Sequence, residues 1–131
     1  RKASEILSDQ ADVYLLLGRI YFRKMELDAG VKAFEQAMEL GARIPGEGHD
    51  NLGAYYVSNR QFSKAIISYE QAIQMGYERA DGYNNLGAAY FQVEQYDKAE
   101  NAVRKALVLD PDHEEAQANL KAIQDRKEGV P

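Results

Sequence analysis

The chain carries the same pattern of apolar and small positions three times. In each copy a ring-bearing residue, a leucine, a glycine and a tyrosine occupy offsets −4, −1, 0 and +3 from the glycine, which share one face of a helix. The glycines are Gly18, Gly53 and Gly87, and they are 35 and 34 residues apart. The ring-bearing residues are Tyr14, His49 and Tyr83. A period of this length predicts stacked helix pairs rather than one mixed core, and no segment has the alternation of a strand.

A second helix is expected after each of these first helices. Counted from each glycine, a small residue follows at +12, a large apolar residue at +16 and an alanine at +19. These residues are Gly30, Phe34 and Ala37 in the first copy, Ala65, Tyr69 and Ala72 in the second, and Ala99, Val103 and Ala106 in the third. Because the glycine and the small +12 residue carry little bulk, the two helices of a pair are predicted to approach closely, and a larger residue would overpack the contact.

Candidate capping residues bound the second helices. Residues with N-cap preference stand near the predicted starts, and they are Asp28, Ser63 and Asp97. Asp97 also has capping-box spacing to Glu100. Gly41 and Gly76 follow the first two of these helices and suit helix C-termini. These residues predict where each second helix begins and ends.

The repeated offsets carry a family resemblance. Together with Pro111 in a Leu-Asp-Pro-Asp turn, they resemble the tetratricopeptide repeat family over residues 11–128. The resemblance implies an all-α fold, a right-handed α-solenoid of three helix-turn-helix repeats followed by a C-terminal capping helix. The expected divisions are the tail of a preceding helix or repeat at 1–10, repeats at 11–45, 46–79 and 80–113, a capping helix at 114–128 and a disordered tail at 129–131.

Residues 1–10 are assigned to a preceding unit on register. Ala3 stands 15 residues before Gly18, just as Ala72 stands 15 residues before Gly87. The segment therefore has the spacing of a second helix. We expect the chain to be a fragment of a longer array or a processed protein.

Composition limits the class of protein and of partner. With 131 residues, 45% hydrophobic and 28% charged, the chain is expected to be soluble and about one domain long. It shows no apolar stretch of membrane-spanning length and no signal-like segment. The absence of cysteine excludes thiol chemistry and disulfides, so a cytoplasmic and a periplasmic location are both allowed and the compartment is unknown. The net charge of −5, without a Lys/Arg cluster, argues against nucleic acid as a partner.

The resemblance implies that first helices line a concave groove that holds peptide segments of partner proteins. In this chain the groove positions should be offsets −6, −3, −2, +1, +4 and +5 from each glycine. The candidate peptide-binding residues are Arg19, Phe22, Arg23, Asn51, Ala54, Val57, Asp81, Asn84, Asn85, Ala88, Phe91 and Asn119. No metal or cofactor is expected.

Three asparagines stand at one of these offsets. Asn51 and Asn85 lie two residues before their glycines, and Asn119 has the equivalent position in the capping helix. In asparagine-lined relatives such as the O-linked N-acetylglucosamine transferase superhelix, this position binds the backbone of an extended peptide, and an amide suits that task because it both donates and accepts. The alternative is that each is simply an exposed polar helix residue. Leu16 occupies the slot in the first repeat.

The charges along the groove bear on the ligand. The relatives that clamp the carboxylate tails of heat-shock chaperones use lysines and arginines, whereas this chain has Asp81 and Asn85 at the third-repeat positions. A carboxylate clamp is therefore not expected. Acidic residues recur at offset −6 and favour a neutral or basic ligand over an acidic one. They are Asp12, Glu47, Asp81 and Glu115. The alternative is that these acids stabilise the N-termini of their helices by interacting with the helix macrodipoles.

The first repeat carries an apolar patch, Leu15, Leu16 and Phe22, rimmed by Arg19 and Arg23. Such a patch usually marks a contact site, for a ligand, an upstream repeat, residues 1–10 folding back, or a second copy of the chain. The main hypothesis is a non-catalytic scaffold that binds a peptide. The alternatives are a self-assembling segment of a longer array and a targeting domain of a larger enzyme.

Catalysis has little support in the sequence. His49 and His113 lie in different repeats, one in an aromatic packing slot and the other in a turn. No Gly-rich phosphate loop, nucleophile motif or metal-ligand cluster is present. We therefore expect no intrinsic enzyme activity.

Overall fold

A computed structural model describes residues 2–130 of the protein. Seven α-helices follow one another in this range, and it contains no strand. They are α1 Ala3–Arg23, α2 Leu27–Glu39, α3 Gly46–Ser58, α4 Phe62–Gln74, α5 Ala80–Gln92, α6 Tyr96–Leu109 and α7 Glu114–Lys127. The predicted all-α solenoid is confirmed. No helix within this range is long and apolar enough to cross a membrane.

The helices pack as three antiparallel pairs, α1 with α2, α3 with α4 and α5 with α6, and α7 lies against α6 and α5. The predicted close contact at the glycines is present in every pair. A Cβ added to Gly18 would lie 2.4 Å from the Phe34 ring, and one added to Gly87 would lie 2.4 Å from Val103 Cγ2. Since neither neighbour has free space, a side chain at these positions costs about 1–3 kcal/mol.

The predicted N-caps of the second helices are wrong. The helices begin two residues earlier, after Glu26, Gln61 and Gln95, and none of these caps makes a side-chain hydrogen bond. The residue before each cap has a left-handed backbone and lets the chain reverse at once. These residues are Met25, Arg60 and Glu94, with φ of 62°, 59° and 65°. Because the reversal is so tight, Asp28, Ser63 and Asp97 lie inside the first turn, and Asp97 pairs with Lys127 at 2.8 Å.

The predicted helix ends at Gly41 and Gly76 are confirmed. Both glycines have positive φ, 89° and 82°. Beyond Gly41 the Ala42 N–H donates to Ala37 O at 2.9 Å, and beyond Gly76 the Tyr77 N–H donates to Ala72 O at 2.9 Å. These are the bonds of a Schellman motif, which requires a left-handed residue and favours glycine there.

The N-terminal end of the chain differs from the expected divisions, whereas the C-terminal helix agrees with them. Ala3 to Gln10 form the first part of α1, and no turn separates them from the rest of that helix. At the other end α7 occupies the range of the expected capping helix, and His113 caps it, since Nδ1 accepts the Ala116 N–H at 3.1 Å. Arg1 and Pro131, which belong to the predicted N-terminal tail and C-terminal tail, lie outside the described residues.

Candidate functional site: a hollow between the first two repeats

A hollow of about 560 Å³ opens between α1, α2 and the first helix of the second repeat, α3. It brings together five of the candidate residues. They are Arg19, Phe22 and Arg23 on α1, and Asn51 and Ala54 on α3. These are offsets +1, +4 and +5 of the first repeat and −2 and +1 of the second. The offset reasoning therefore places residues of neighbouring repeats on one surface.

The floor of the hollow is aromatic. The rings of Phe22 and Phe34 are stacked with centroids 5.1 Å apart, and Phe34 is fully buried. Gly48 lies beside them, and a Cβ there would lie 3.4 Å from Phe34 Cζ and 2.5 Å from Ile44 Cγ2. Because Gly48 leaves this space, α3 can lie directly over the ring edge.

The walls are polar and differ in charge. Arg19 and Arg23 project from α1, and Glu47 and Asn51 project from α3. Between residues 2 and 130 the side chains of these four residues form no hydrogen bond or salt bridge, and both arginines are exposed. Their donors and acceptors are therefore available to a bound molecule.

Tyr55 closes one side of the hollow, and the sequence analysis missed it. Its hydroxyl donates to Asp28 Oδ1 at 2.7 Å, and this hydrogen bond raises the pKa of the phenol. Tyr55 stands at offset +2 from Gly53, which is not one of the six offsets expected to line the groove. Met25 of the α1–α2 turn and Leu27 at the start of α2 also line the hollow and were missed, since the groove offsets cover first helices only.

The other two asparagines have partners within the protein. Asn85 Nδ2 donates to the Tyr69 hydroxyl at 3.0 Å, and Asn119 Nδ2 donates to Asn84 Oδ1 at 2.8 Å. Asn84 itself is only 1% exposed, which corrects its prediction as a groove residue. Its offset faces the packed α7 rather than an open surface. Among the described residues, the predicted row of three equivalent asparagines is therefore one amide without a hydrogen-bond partner, Asn51, and two that link neighbouring helices.

Asp81 belongs to a chain of charges that joins the second and third repeats. Arg79 bonds Asp50 at 3.1 Å and Asp81 at 3.5 Å, and His113 Nε2 lies 2.7 Å from Asp81 Oδ1. Burial raises the pKa of Asp50, and Arg79 opposes that shift. The hydrogen bond to Asp81, which the His113 ring donates, raises the pKa of His113. Asp81 is therefore engaged by two side chains.

The remaining candidates lie partly within the packed interior. Val57 and Phe91 pack against the core, and Ala88 is half-buried. The Phe91 ring meets Tyr96 edge to face at 5.4 Å, and the Arg126 guanidinium of α7 lies 5.6 Å from its centroid. The third-repeat aromatic position is therefore covered by α7, whereas its first-repeat counterpart Phe22 faces the hollow.

The histidines have structural positions. His49 is 7% exposed, and burial lowers its pKa. His113 uses one ring nitrogen to cap α7 and the other to contact Asp81. Within residues 2–130, no group of three or more His, Asp or Glu side chains is placed to hold a metal ion.

Sequence comparison identifies the family. The profile of the tetratricopeptide repeat family matches residues 9–78 and, in a second form, residues 80–113. The chain belongs to the tetratricopeptide repeat family. No curated protein sequence matches it.

Solved tetratricopeptide repeat (TPR) domains share the fold. The TPR domain of Arabidopsis OM64 is 19% identical with a TM-score of 0.70, over 92% of this chain and 98% of that one. The first TPR domain of Spaghetti (RPAP3), bound to the HSP90 peptide SRMEEVD, is 22% identical with a TM-score of 0.71, over 91% and 94%. YrrB, a TPR protein with an unusual peptide-binding site, is 21% identical with a TM-score of 0.73, over 87% of this chain and 58% of that one.

Proposed function

We propose that the protein is a non-catalytic interaction module that holds a peptide segment of a partner in the hollow between its first two repeats. The observation that carries this proposal is the Asn51 amide, which lines the hollow beside an aromatic floor and has no partner among the described side chains. Peptide binding by solved TPR domains, such as that of Spaghetti, supports the class of ligand.

The freedom of Asn51 has a specific cause. In the third repeat the equivalent Asn85 is held by the Tyr69 hydroxyl. Offset +16, where the second repeat has Tyr69, is occupied by Phe34 in the first repeat. Because a phenyl ring has no hydroxyl, it offers the Asn51 amide nothing to bind. An amide that both donates and accepts can then pair with a peptide unit of any sequence.

The floor supports an apolar anchor in the ligand. A side chain entering the hollow would meet Phe22 and the edge of Phe34, and would be shielded from water by Leu27 and Tyr55. Buried apolar or aromatic anchors of this kind carry most of the affinity of a small interface.

The charges argue against a ligand that carries several carboxylates. Glu47 faces the two arginines across the hollow, so the walls together offer one acid and two bases. A clamp for several carboxylates needs cations from more than one repeat, yet the third-repeat positions are Asp81 and Asn85. Both are already engaged within the protein. The proposed ligand is therefore a peptide with an apolar anchor and few acidic residues.

A displayed library of random twelve-residue peptides tests this proposal, with the selected peptides then measured by calorimetry. We expect peptides with a central large apolar residue, and Asn51→Ala should weaken their binding about tenfold, because a hydrogen bond to the ligand is lost. Asn101→Ala, a change at an exposed asparagine of α6, is the matched control and should leave binding unchanged.

Two results would overturn the proposal: a library that yields no binder, or equal affinity of the wild type and Asn51→Ala. The stability of Asn51→Ala should stay within about 0.5 kcal/mol of wild type, since the side chain has no internal partner to lose. Self-association of the first repeat would use mainly the aliphatic face of α1, which lies outside the hollow, and is a separate proposal.

A further inference from the structure

The outward face of α1 is apolar and exposed. Five residues of this helix lie within an arc of about 80°, at 100° per residue; one is the exposed Asp9 and the other four are aliphatic. They are Ile6, Val13, Leu16 and Ile20, and their exposed fractions are 41%, 56%, 57% and 39%. We call them the α1 stripe. A soluble domain rarely leaves such a row of large aliphatic residues in water unless it contacts something.

The corresponding face is covered on the two other first helices. Tyr55 of α3 reaches Asp28 of the preceding α2, and Asn85 of α5 reaches Tyr69 of the preceding α4. Ala89 stands at the offset of Ile20 in α1 and is fully buried. The face is therefore one that this fold buries against a helix, whereas on α1 no described residue covers it.

The earlier expectation for this surface needs correction. Of the residues that the sequence pattern groups with Leu16, Leu15 packs against the core, and Phe22 packs against the core and lines the hollow. Only Leu16 of that patch points outward, and it belongs with the α1 stripe.

Along one edge of the α1 stripe, acidic residues come first in the chain and arginines follow. Glu5, Asp12, Arg19 and Arg23 fall within about 40° of one another around the helix axis, beside the aliphatic row. Along the chain they read acid, acid, base, base. A second α1 in the parallel sense would place like charges together, whereas the antiparallel sense places acids opposite arginines.

We propose that a second copy of this chain covers the α1 stripe, with the two α1 helices packed antiparallel about a two-fold axis. Such an interface is isologous, because each copy offers the same surface. Pairing Asp12 of one copy with Arg19 of the other puts the axis between residues 15 and 16. The aliphatic residues of the stripe then interdigitate along the contact, and Leu16 meets Leu16 of the second copy at its centre.

Single-cysteine variants test the orientation directly, because the natural chain contains no cysteine. The two copies of residue 16 face each other, so Leu16→Cys should form a covalent dimer with a mild oxidant or a short bismaleimide. The matched control is Ile6→Cys, at the far end of the same stripe. Its two copies lie about 28 Å apart in the antiparallel pair and should not cross-link. Cross-linking of both variants, or of neither, would contradict the proposal.

Sedimentation of the wild type and of charged variants tests the interface itself. The wild type should sediment as a dimer, and Leu16→Glu as a folded monomer, while Ile67→Glu should remain dimeric. Ile67 is the matched control because it is also 57% exposed and lies on α4, away from the α1 stripe. A monomeric wild type at the highest soluble concentration overturns the proposal.

Charge reversal gives a second and independent measurement. Asp12→Arg should weaken the dimer about tenfold, since it places two cations opposite each other, and Asp12→Arg with Arg19→Asp should restore it. Equal dimer affinity of wild type and Asp12→Arg would show that the charge order does not set the pairing. Because Arg19 also lines the hollow, peptide binding is compared between the wild type and Leu16→Glu, whose altered residue lies outside the hollow. Retained binding in a monomer separates the two proposals.

Discussion

The junction between the first and second repeats is open, whereas the junction between the second and third is closed. At the closed junction α3 and α5 pack directly, and side chains from both sides bond each other, Arg79 with Asp50 and Asn85 with Tyr69. At the open junction α1 and α3 barely approach each other, and the hollow lies between them. The same repeat thus forms either a sealed interface or an open hollow.

Besides the Arg79–Asp50 pair, whose offsets are occupied by Pro45 and Leu15 at the open junction, two small differences in sequence accompany this contrast. The first is the hydroxyl of Tyr69, which the equivalent Phe34 lacks, so that one asparagine is held and the other is free. The second is the linker, which runs from residue 40 to 45 before α3 but only from 75 to 79 before α5. Ile44 of the longer linker is buried, with 1% of its surface exposed. Its Cγ2 atom lies only 2.5 Å from where a Cβ on Gly48 would be. The two junctions therefore differ at a few positions while every helix is kept.

Among variants of the two junctions, Arg79→Ala should lower the free energy of unfolding most, because it removes the side chain that bonds Asp50 at the closed junction. The Asp50 side chain is 8% exposed, so without Arg79 its carboxylate is left buried and unpaired. We expect a loss of about 2 kcal/mol in the free energy of unfolding, less than for a fully buried pair because Arg79 is itself half exposed. Urea denaturation measures it. Asp50→Asn in the same variant should recover most of the loss, and a double variant as unstable as the single one would contradict this reading.

Phe34→Tyr should convert the open junction toward the closed one. The added hydroxyl would give the Asn51 amide an internal partner, as Tyr69 does for Asn85, and the amide would then bind a peptide less well. We expect about a tenfold loss of peptide affinity, measured by calorimetry with a selected peptide.

A double-mutant cycle controls the Phe34→Tyr experiment. In an Asn51→Ala background the hydroxyl has no amide to capture, so Phe34→Tyr should cost no further affinity. A full additional loss there would mean that the hydroxyl obstructs the hollow instead.

Tyr69→Phe makes the opposite change at the closed junction. It removes the hydroxyl that accepts from Asn85, and the lost hydrogen bond should lower stability by about 1 kcal/mol. Thermal or urea denaturation measures the change. Tyr69→Phe with Asn85→Ala should be no less stable than the single variant, and strict additivity of the two changes would argue against a direct bond.

His49→Tyr tests how the second repeat differs from the third in the pH dependence of folding stability. Burial lowers the pKa of His49, so the folded chain holds it neutral while the unfolded chain gains a proton below about pH 6.5. Its contribution to stability is thus complete above that pH and is lost as the pH falls. Tyrosine, which Tyr83 provides at the same offset, does not titrate there. The stability lost between about pH 7 and about pH 5 should therefore shrink in His49→Tyr.

The control for this pH experiment is His113, whose shift has the opposite sign. Contact with Asp81 raises its pKa, so the contribution of that contact is present at low pH and is lost as the pH rises through the folded value. The cap on α7 needs an unprotonated Nδ1, and asparagine at this position keeps an acceptor for it. His113→Asn should therefore not reduce the acid-side loss. An unchanged pH dependence in His49→Tyr would show that other groups control acid stability.

Local features were predictable where a residue acts through its own backbone or bulk. The glycine contacts at Gly18 and Gly87 and the left-handed caps at Gly41 and Gly76 were read from spacing, because only a residue without a side chain fits. The N-caps were misplaced because propensity favours Asp28 for a cap, while the left-handed turn at Met25 started the helix earlier. Offsets also placed Asn51 in the hollow, but they could not show which asparagine already had a partner.

The amino-acid sequence by itself determined the family, the three helix pairs and the face of each first helix that packs on its partner. Those properties follow from periodicity and from side-chain size, which act within one repeat. Tertiary structure alone decided which groove positions are open, since that depends on what a neighbouring repeat places opposite each residue. Asn51 and Asn85 share an offset, yet Phe34 leaves one amide free and Tyr69 engages the other.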